Sequence, residues 1–517
     1  MKPYAMRIIK SSVATLSLRK KRSGTKLVRD LAKCRRFLRG SLRILLFSWL
    51  VKHYYYINYT EEYVIMAQID LSEGPITKNM LRFAFPMICG NMLQQLYNVV
   101  DTLIVGKYLG TTALAAVGSS YTLMTFLTSI LLGMCMGSGA MFSIRYGEKN
   151  HGKLQQDLYV SFFLIAALAV LINVIVFLFL DPIMALLSVP ADTYALMREY
   201  LWVIFFGIGA TFFYNYFAAV LRALGNSLVP LVFLGISAVI NIVLDLYFIL
   251  SCHWGVAGAA FATILAQWFS GVGIVAYCIL KCPFMRIEKQ NRHFSPAAFK
   301  EITNASFLTC LQQSVMNLGI LMVQGLVNSF GSIVMAAFAA AVKIDAFAYM
   351  PLQDFGNAFS TFIAQNYGAK KEDRIRQGIR SAAGCVACFS LIVSALVVCF
   401  ARQLLLLFIK PEETEVLAVG MSYLRIVGIF YFGIGTLFML YGLYRAINRP
   451  GMSLVLTIIS LGTRVLLAYL LSPIPAIGVN GIWWAIPIGW FLADMTGIIY
   501  YILKMRYSHE TDPGHRR

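Results

Sequence analysis

Apolar runs of about twenty residues or more, separated by short polar stretches, fill the chain from residue 79 onward. They fall near 79–106, 113–144, 157–180, 196–221, 228–250, 256–280, 301–329, 333–364, 380–408, 417–444, 452–471 and 479–503. A helix needs roughly twenty apolar residues to cross a bilayer's hydrocarbon layer, so each run predicts a membrane-spanning α-helix. A barrel would instead alternate apolar and polar residues in segments of about ten. The pattern therefore predicts an all-α polytopic membrane protein with twelve transmembrane helices.

The polar stretches between the runs repeat. "LQQLYN" at 93 matches "LQQSVMN" at 311, and "RYGEKNHGKL" at 145 matches "NYGAKKEDRI" at 366. "RALGNSLVPL" at 222 matches "RAINRPGMSL" at 445, "GVAG" at 255 matches "GVNG" at 478, and "YCILK" at 277 matches "YYILK" at 500. The offset drifts only from 218 to 223 across these blocks. Each half holds six spans, an even number, so both halves share one topology. That is a parallel repeat, one of the known transporter plans, and it predicts two six-helix bundles around a central cavity. The expected units are a basic extension (1–65), an N-lobe bundle (66–281), a cytoplasmic linker (282–300), a C-lobe bundle (301–504) and a cytoplasmic tail (505–517).

Charge adds orientation. Hydrophobic residues make up 59% of the chain and charged residues 13%, far from soluble proportions. Of the 29 Lys and Arg after residue 65, 22 lie before the first span, in even-numbered loops or in the tail, and four (Lys107, Arg198, Arg402, Lys410) lie in odd-numbered loops. Basic loops stay on the cytoplasmic side, so both termini are expected there, in a multi-pass protein of the plasma (cytoplasmic) membrane. This bias accounts for the surplus positive charge of residues 66–517 without a nucleic-acid partner. Residues 1–65 carry a net +12 of the chain's +20. They read either as a basic surface-lying helix on anionic lipid or as an extension upstream of a native start at Met66. The ten cysteines, including the Cys385/Cys388 pair, lie mostly in apolar runs and read as packing residues.

Some polar residues interrupt the spans. Asn91, Gln94, Asn98 and Asp101 step by 3, 4 and 3 along one face of the first span. Asn241 and Asp245 share a face of the fifth, and Thr263 follows in the sixth. A charged side chain at mid-membrane costs about 2.5 to 3.5 kcal/mol on insertion scales, and such groups are functional by default. An amide alone could be helix–helix glue. Two carboxylates, an amide oxygen and a hydroxyl form a hard-oxygen set suited to Na⁺ or exchangeable protons. The second half lacks this constellation: the residues matching Asp101, Asn241 and Asp245 are Gly319, Arg464 and Ala468. Fold geometry alone would demand it in both halves.

The stretches "FAFPMICGNMLQQLYNVVDTLIVGKYLGTTALAAVG" (83–118), "RALGNSLVPL" (222–231), "INIVLD" (240–245) and "GVAGAAFATILAQ" (255–267) resemble the multidrug and toxic compound extrusion (MATE) family of secondary transporters. The resemblance covers nearly all of 66–504, and residues 1–65 find no counterpart in it. It implies a V of two six-helix bundles and a non-enzymatic antiporter that exports amphipathic, often cationic organic compounds by alternating access, driven by Na⁺ or H⁺. It implies no cofactor beyond that ion, and as partners only small-molecule organic substrates and the lipid bilayer, with the protein a monomer. It places the coupling-ion site on Asp101, Asn241, Asp245 and Thr263. Polar residues Gln95, Asn98, Gln313, Asn317 and Gln324 are candidates for the substrate pathway. Pro86, four turns before Asp101, is the candidate for conformational coupling through a bend in the first span. The alternatives are a flippase for a lipid-linked precursor, disfavoured by the scarcity of basic residues in the spans, and an intramembrane enzyme, for which no nucleophile arrangement accompanies the paired Asp residues.

Overall fold

Hydrocarbon offers the backbone no water to bond, so each apolar run must satisfy its own amides, and a helix does this within one segment. The computed structural model describes residues 68–510 apart from 187–188, 190 and 283–284, and among them there is no strand. The expected basic extension lies outside the described residues. In the first half, α1 is Ile76–Leu109, α2 Thr111–Gly147, α3 His151–Leu178, α4 Ala191–Ala223, α5 Leu228–Ser251 and α6 Gly255–Lys281. In the second, α7 is Pro296–Asn328, α8 Ser332–Gly368, α9 Glu372–Cys399, α11 Pro450–Leu471 and α12 Asn480–Lys504. Between them α10 consists of Thr414–Ile429 and Tyr431–Ala446, bent by 53°.

Ten of these helices and the bent pair are long and apolar enough to cross a membrane. The remaining helix, α1, completes the twelve. Its hydropathy is lowered by Asn91, Gln94, Gln95, Asn98 and Asp101, the same residues that give it chemistry. The apolar run 380–408 is one element too long. The helix ends at Cys399, Phe400 leaves helical geometry, and a short helix, Ala401–Leu405, follows. The short helix exposes Arg402 and Gln403, and apolar surface resumes just beyond it, with Leu407 74% exposed. Leu178, Leu280 and Phe491 likewise face outward, as a lipid-facing surface requires.

The halves repeat in three dimensions. In the first, α1 packs on α2 and α5, α2 on α3 and α4, and α6 on α4 and α5; in the second, α7 packs on α8 and α11, α8 on α9 and α10, and α12 on α10 and α11. Left-handed backbone positions recur at the repeat's own offset: Gly110 with Gly331, Lys149 with Lys370, Gly225 with Asn448 and Gly255 with Gly478.

Between halves, α2 lies against α7 and α8, and α1 against α8. The approach of α2 to α7 depends on two glycines four residues apart. A methyl group on Gly133 would fall 2.5 Å from Cys310 Cα, and one on Gly137 would fall 2.6 Å from the Ala305 carbonyl oxygen. Small residues at this spacing let membrane helices touch backbone to backbone. Ser138 and Ser306 then share a hydrogen bond of 2.7 Å, and Arg145 forms ion pairs with Asp157 (3.0 Å) and, across the halves, with Glu301 (2.6 Å).

The segment before each half's first helix is held by the other half. Residues 68–75 form a strap. Asn366 donates to the Leu71 carbonyl (3.1 Å), Lys371 to Ser72 (2.8 Å), and Arg374 to Gly74, Leu71 and Glu73 (2.9, 3.2 and 3.2 Å). Gln365 accepts from Leu71 N and donates to the Ala223 carbonyl, so it bridges strap and first half. The strap is also tied to the first half itself, through Ile69 N to the Gly225 carbonyl (3.0 Å). Reciprocally, Gln155 of α3 accepts from Glu288 N (3.2 Å) and Asn291 Nδ2 (2.8 Å) in the linker before α7. These bonds close one end of the molecule.

A buried oxygen site between α1, α5 and α6

The lower part of α5 brings Asn241 and Asp245 to one face, one turn apart, where they are 2% and 0% exposed. Immediately after Asp245 the helix widens into a π-turn, Tyr247–Ser251, a feature that often marks functional positions. From α1, the Asp101 carboxyl group adjoins that of Asp245. From α6, Thr263 accepts a hydrogen bond from Asn241 Nδ2 (3.3 Å) and passes its own proton to the Ala259 carbonyl (3.1 Å). The structure thus brings together all four residues expected to form the site.

What the site lacks is a donor. No amide, hydroxyl or ammonium group donates to Asp101 Oδ1, to either oxygen of Asp245 or to Asn241 Oδ1. Two adjoining carboxylates cannot both stay ionised in such surroundings unless something positive joins them. The donor set is made only of hard oxygens, so it fits a proton or Na⁺. Among the described residues no three His, Cys, Asp or Glu cluster as metal ligands.

Sequence reasoning missed Tyr200 and Tyr97. The Tyr200 ring on α4 is 7% exposed and lies within electrostatic reach of Asp101, Asp245 and Tyr97. Its signal was in the repeat. Tyr200 in "YLWVI" matches Tyr423 in "YLRIV", and Tyr423 donates to Asp345 of α8 (3.1 Å). The second half therefore keeps the tyrosine but sets it beside one carboxylate, with Arg464 in electrostatic reach of Asp345, Tyr423 and Tyr349. Lys343 is on another face, over the Phe408 ring at 5.9 Å. Asp494 is buried in α12 with no donor on Oδ1.

The polar stripe of α1 divides. Asp101 meets α5, whereas Asn91 reaches across and donates to Asp354 of α8. Gln95 and Asn98 remain partly exposed, as do Asn317 and Gln324 on α7; Gln324 donates to Asn328 (2.8 Å). Gln313 is 8% exposed. Pro86 lies inside α1, partly exposed, five residues before Asn91.

Twelve helices in two matched sets, crossed at one end and with carboxylate oxygens buried between helices of one set, have the plan of a membrane transporter. The MatE family model matches residues 86–247 and 305–470, and the chain belongs to that family. It is 29% identical over 397 residues to a Bacillus subtilis (strain 168) protein named "Probable multidrug resistance protein YpnP", covering 76% of this chain and 88% of that one. It is 24% identical to a Thermotoga maritima protein named "Probable multidrug resistance protein NorM", covering 79% and 88%. A solved structure described as the outward-facing conformation of a multidrug resistance MATE family transporter of the MOP superfamily superposes with a TM-score of 0.80 at 24% identity, covering 86% of this chain and 98% of that one.

Proposed function

We propose that the chain is a cation-coupled antiporter that exports amphipathic, often cationic organic compounds, with Na⁺ or H⁺ as the coupling ion. The observation that carries this reading is the Asp101–Asp245 pair, buried against Asn241 and Thr263 with no donor supplied by the protein. The family membership and the names of its relatives support the substrate class. Residues 66–281 and 301–504 act as two lobes joined by the linker, in a monomer of the plasma membrane with both termini cytoplasmic. With that orientation the clasped end lies on the cytoplasmic side and acts as the cytoplasmic gate. Gln95, Asn98, Asn317 and Gln324 keep the partial exposure that lining a substrate path requires. Gln313 contributes to its packing wall.

Coupling requires the ion to bind one state of the gate better than the other. An ion between Asp101 and Asp245 ties α1 to α5, so occupancy sets the position of α1, and Pro86 gives that helix a place to bend. Asp101→Asn and Asp245→Asn keep the shape but each put in place of a carboxylate an amide that cannot take up a proton and binds Na⁺ less well. Each should abolish efflux driven by an imposed gradient in proteoliposomes while the protein remains folded. Asn241→Ala and Thr263→Ala should weaken it. Titrating efflux against Na⁺ at fixed pH, then against pH without Na⁺, identifies the ion. Efflux at the wild-type rate in both Asp variants would move the site elsewhere.

A further inference from the structure

Asp354 is 2% exposed on α8, in the second half. Its Oδ1 accepts a hydrogen bond from Asn91 Nδ2 on α1, in the first half, and its Oδ2 has no donor. The positive group in electrostatic reach is Arg222, at the end of α4. Arg222 is available: its Nε is buried without an acceptor. Its repeat partner, Arg445, is not. Arg445 donates to Asn357 (2.9 Å) and Ser360 (3.4 Å) within its own half. The two matched arginines therefore sit in different circumstances. The second is committed to α8 of its own half, and the first has a carboxylate of the other half within electrostatic reach.

Asn91 and Asp101 belong to one stripe of one helix, ten residues apart and both beyond Pro86. A helix segment of three turns turns and shifts as a unit, so a movement that brings Asp101 toward or away from Asp245 also moves Asn91 against Asp354. We propose that the Asn91–Asp354 hydrogen bond is the link through which the second half reads ion occupancy in the first, with Arg222 taking over Asp354 when Asn91 withdraws. Asn91 and Asp354 are positioning residues in this scheme, for they touch neither ion nor substrate. The inference rests on the first-half ion site proposed above.

The test is a linkage measurement on purified full-length protein in lipid nanodiscs. The affinity for ethidium, a fluorescent organic cation, is measured at saturating and zero Na⁺ at fixed pH, and at two pH values without Na⁺. The wild type should show an ion-dependent change in ethidium affinity of about tenfold or more, a typical coupling between two sites. Asn91→Leu should bring this ratio close to one while leaving the separate affinities for ion and ethidium within about threefold. The exchange of both residues, Asn91→Asp with Asp354→Asn, re-forms the bond with donor and acceptor reversed and should raise the ratio above that of Asn91→Leu, while staying below wild type because residue 354 no longer offers Arg222 a charge. Should Asn91→Leu not fold, Asp354→Asn alone, which keeps the shape but removes the charge that Arg222 would claim, must lower the ratio. An unchanged ratio in folded Asn91→Leu, or a loss of both affinities at constant ratio, overturns the link and leaves the bond a packing contact. The outcomes separate the two levels. If Asp101→Asn abolishes the ratio and Asn91→Leu does not, only the link falls. If the wild type shows no ratio at all, the ion-site reading falls with it.

Discussion

Arg374 is the residue on which the strap most depends, and its loss has a calculable effect. It makes four hydrogen bonds: to the carbonyls of Gly74, Leu71 and Glu73, and to Asn366 Oδ1 at 3.1 Å. The bonds to Gly74 and Glu73 are exposed, and water replaces them at little cost. Those to Leu71 and Asn366 are part-buried, but Asn366 lies in the same half as Arg374, so of the two only the Leu71 bond, worth about 1.5 to 3 kcal/mol net for a charged donor, is lost when the end opens. Arg374→Ala should thus destabilise the clasped end by about 1.5 to 3 kcal/mol, or roughly ten- to a hundred-and-fiftyfold in its closed-to-open ratio. Lys149 and Lys370 are exposed at matched turns on opposite halves, so spin labels at Lys149→Cys and Lys370→Cys report the separation of that end. Electron–electron distance measurements, with exposed Cys388 and Cys399 replaced, should show a growing long-distance population in Arg374→Ala. Arg380→Ala, on the same helix and exposed without a bond to the strap, should not show it. Identical distributions in wild type and Arg374→Ala would refute the claim that the strap holds this end shut.

Other expectations follow from single contacts. Gly137→Val forces branched carbons into the Ala305 backbone, and overpacking of this kind costs about 1 to 3 kcal/mol, so the melting temperature in detergent should fall and the Ser138–Ser306 contact should open. Gly319→Ala is the milder counterpart. Its methyl group would meet the flexible Leu461 side chain at 3.0 Å, and efflux should stay near the wild-type rate. Tags at residue 290 and after 505 should be protease-accessible from the cytoplasm, and tags near 190 and 412 from outside; the opposite set would overturn the orientation taken from the basic loops. A chain beginning at Met66 should insert and transport as the full chain does, and failure to fold would make residues 1–65 part of the structure.

The sequence by itself determined the helices, their number and their division into two matched halves. Length of apolar run and repeat of loop motifs are local properties, and a bilayer leaves an apolar run of that length no alternative to a helix. It also placed Asn241 and Asp245 on one face, because a spacing of four is a property of a single helix. The break after Cys399 and the bend at Phe430 were not legible, since the apolar composition runs through both unchanged. Everything that passes between helices was decided only by the tertiary structure. Periodicity puts Asn91 and Asp101 on the same stripe, yet one bonds α8 and the other adjoins α5, because the two ends of α1 have different neighbours. Tyr200 joins the site from a helix with no sequence relation to α5. Nothing within residues 68–75 marks them as a strap; they are held by Lys371 and Arg374, about 300 residues further along the chain, because the halves cross at that end and each holds the other's entry segment.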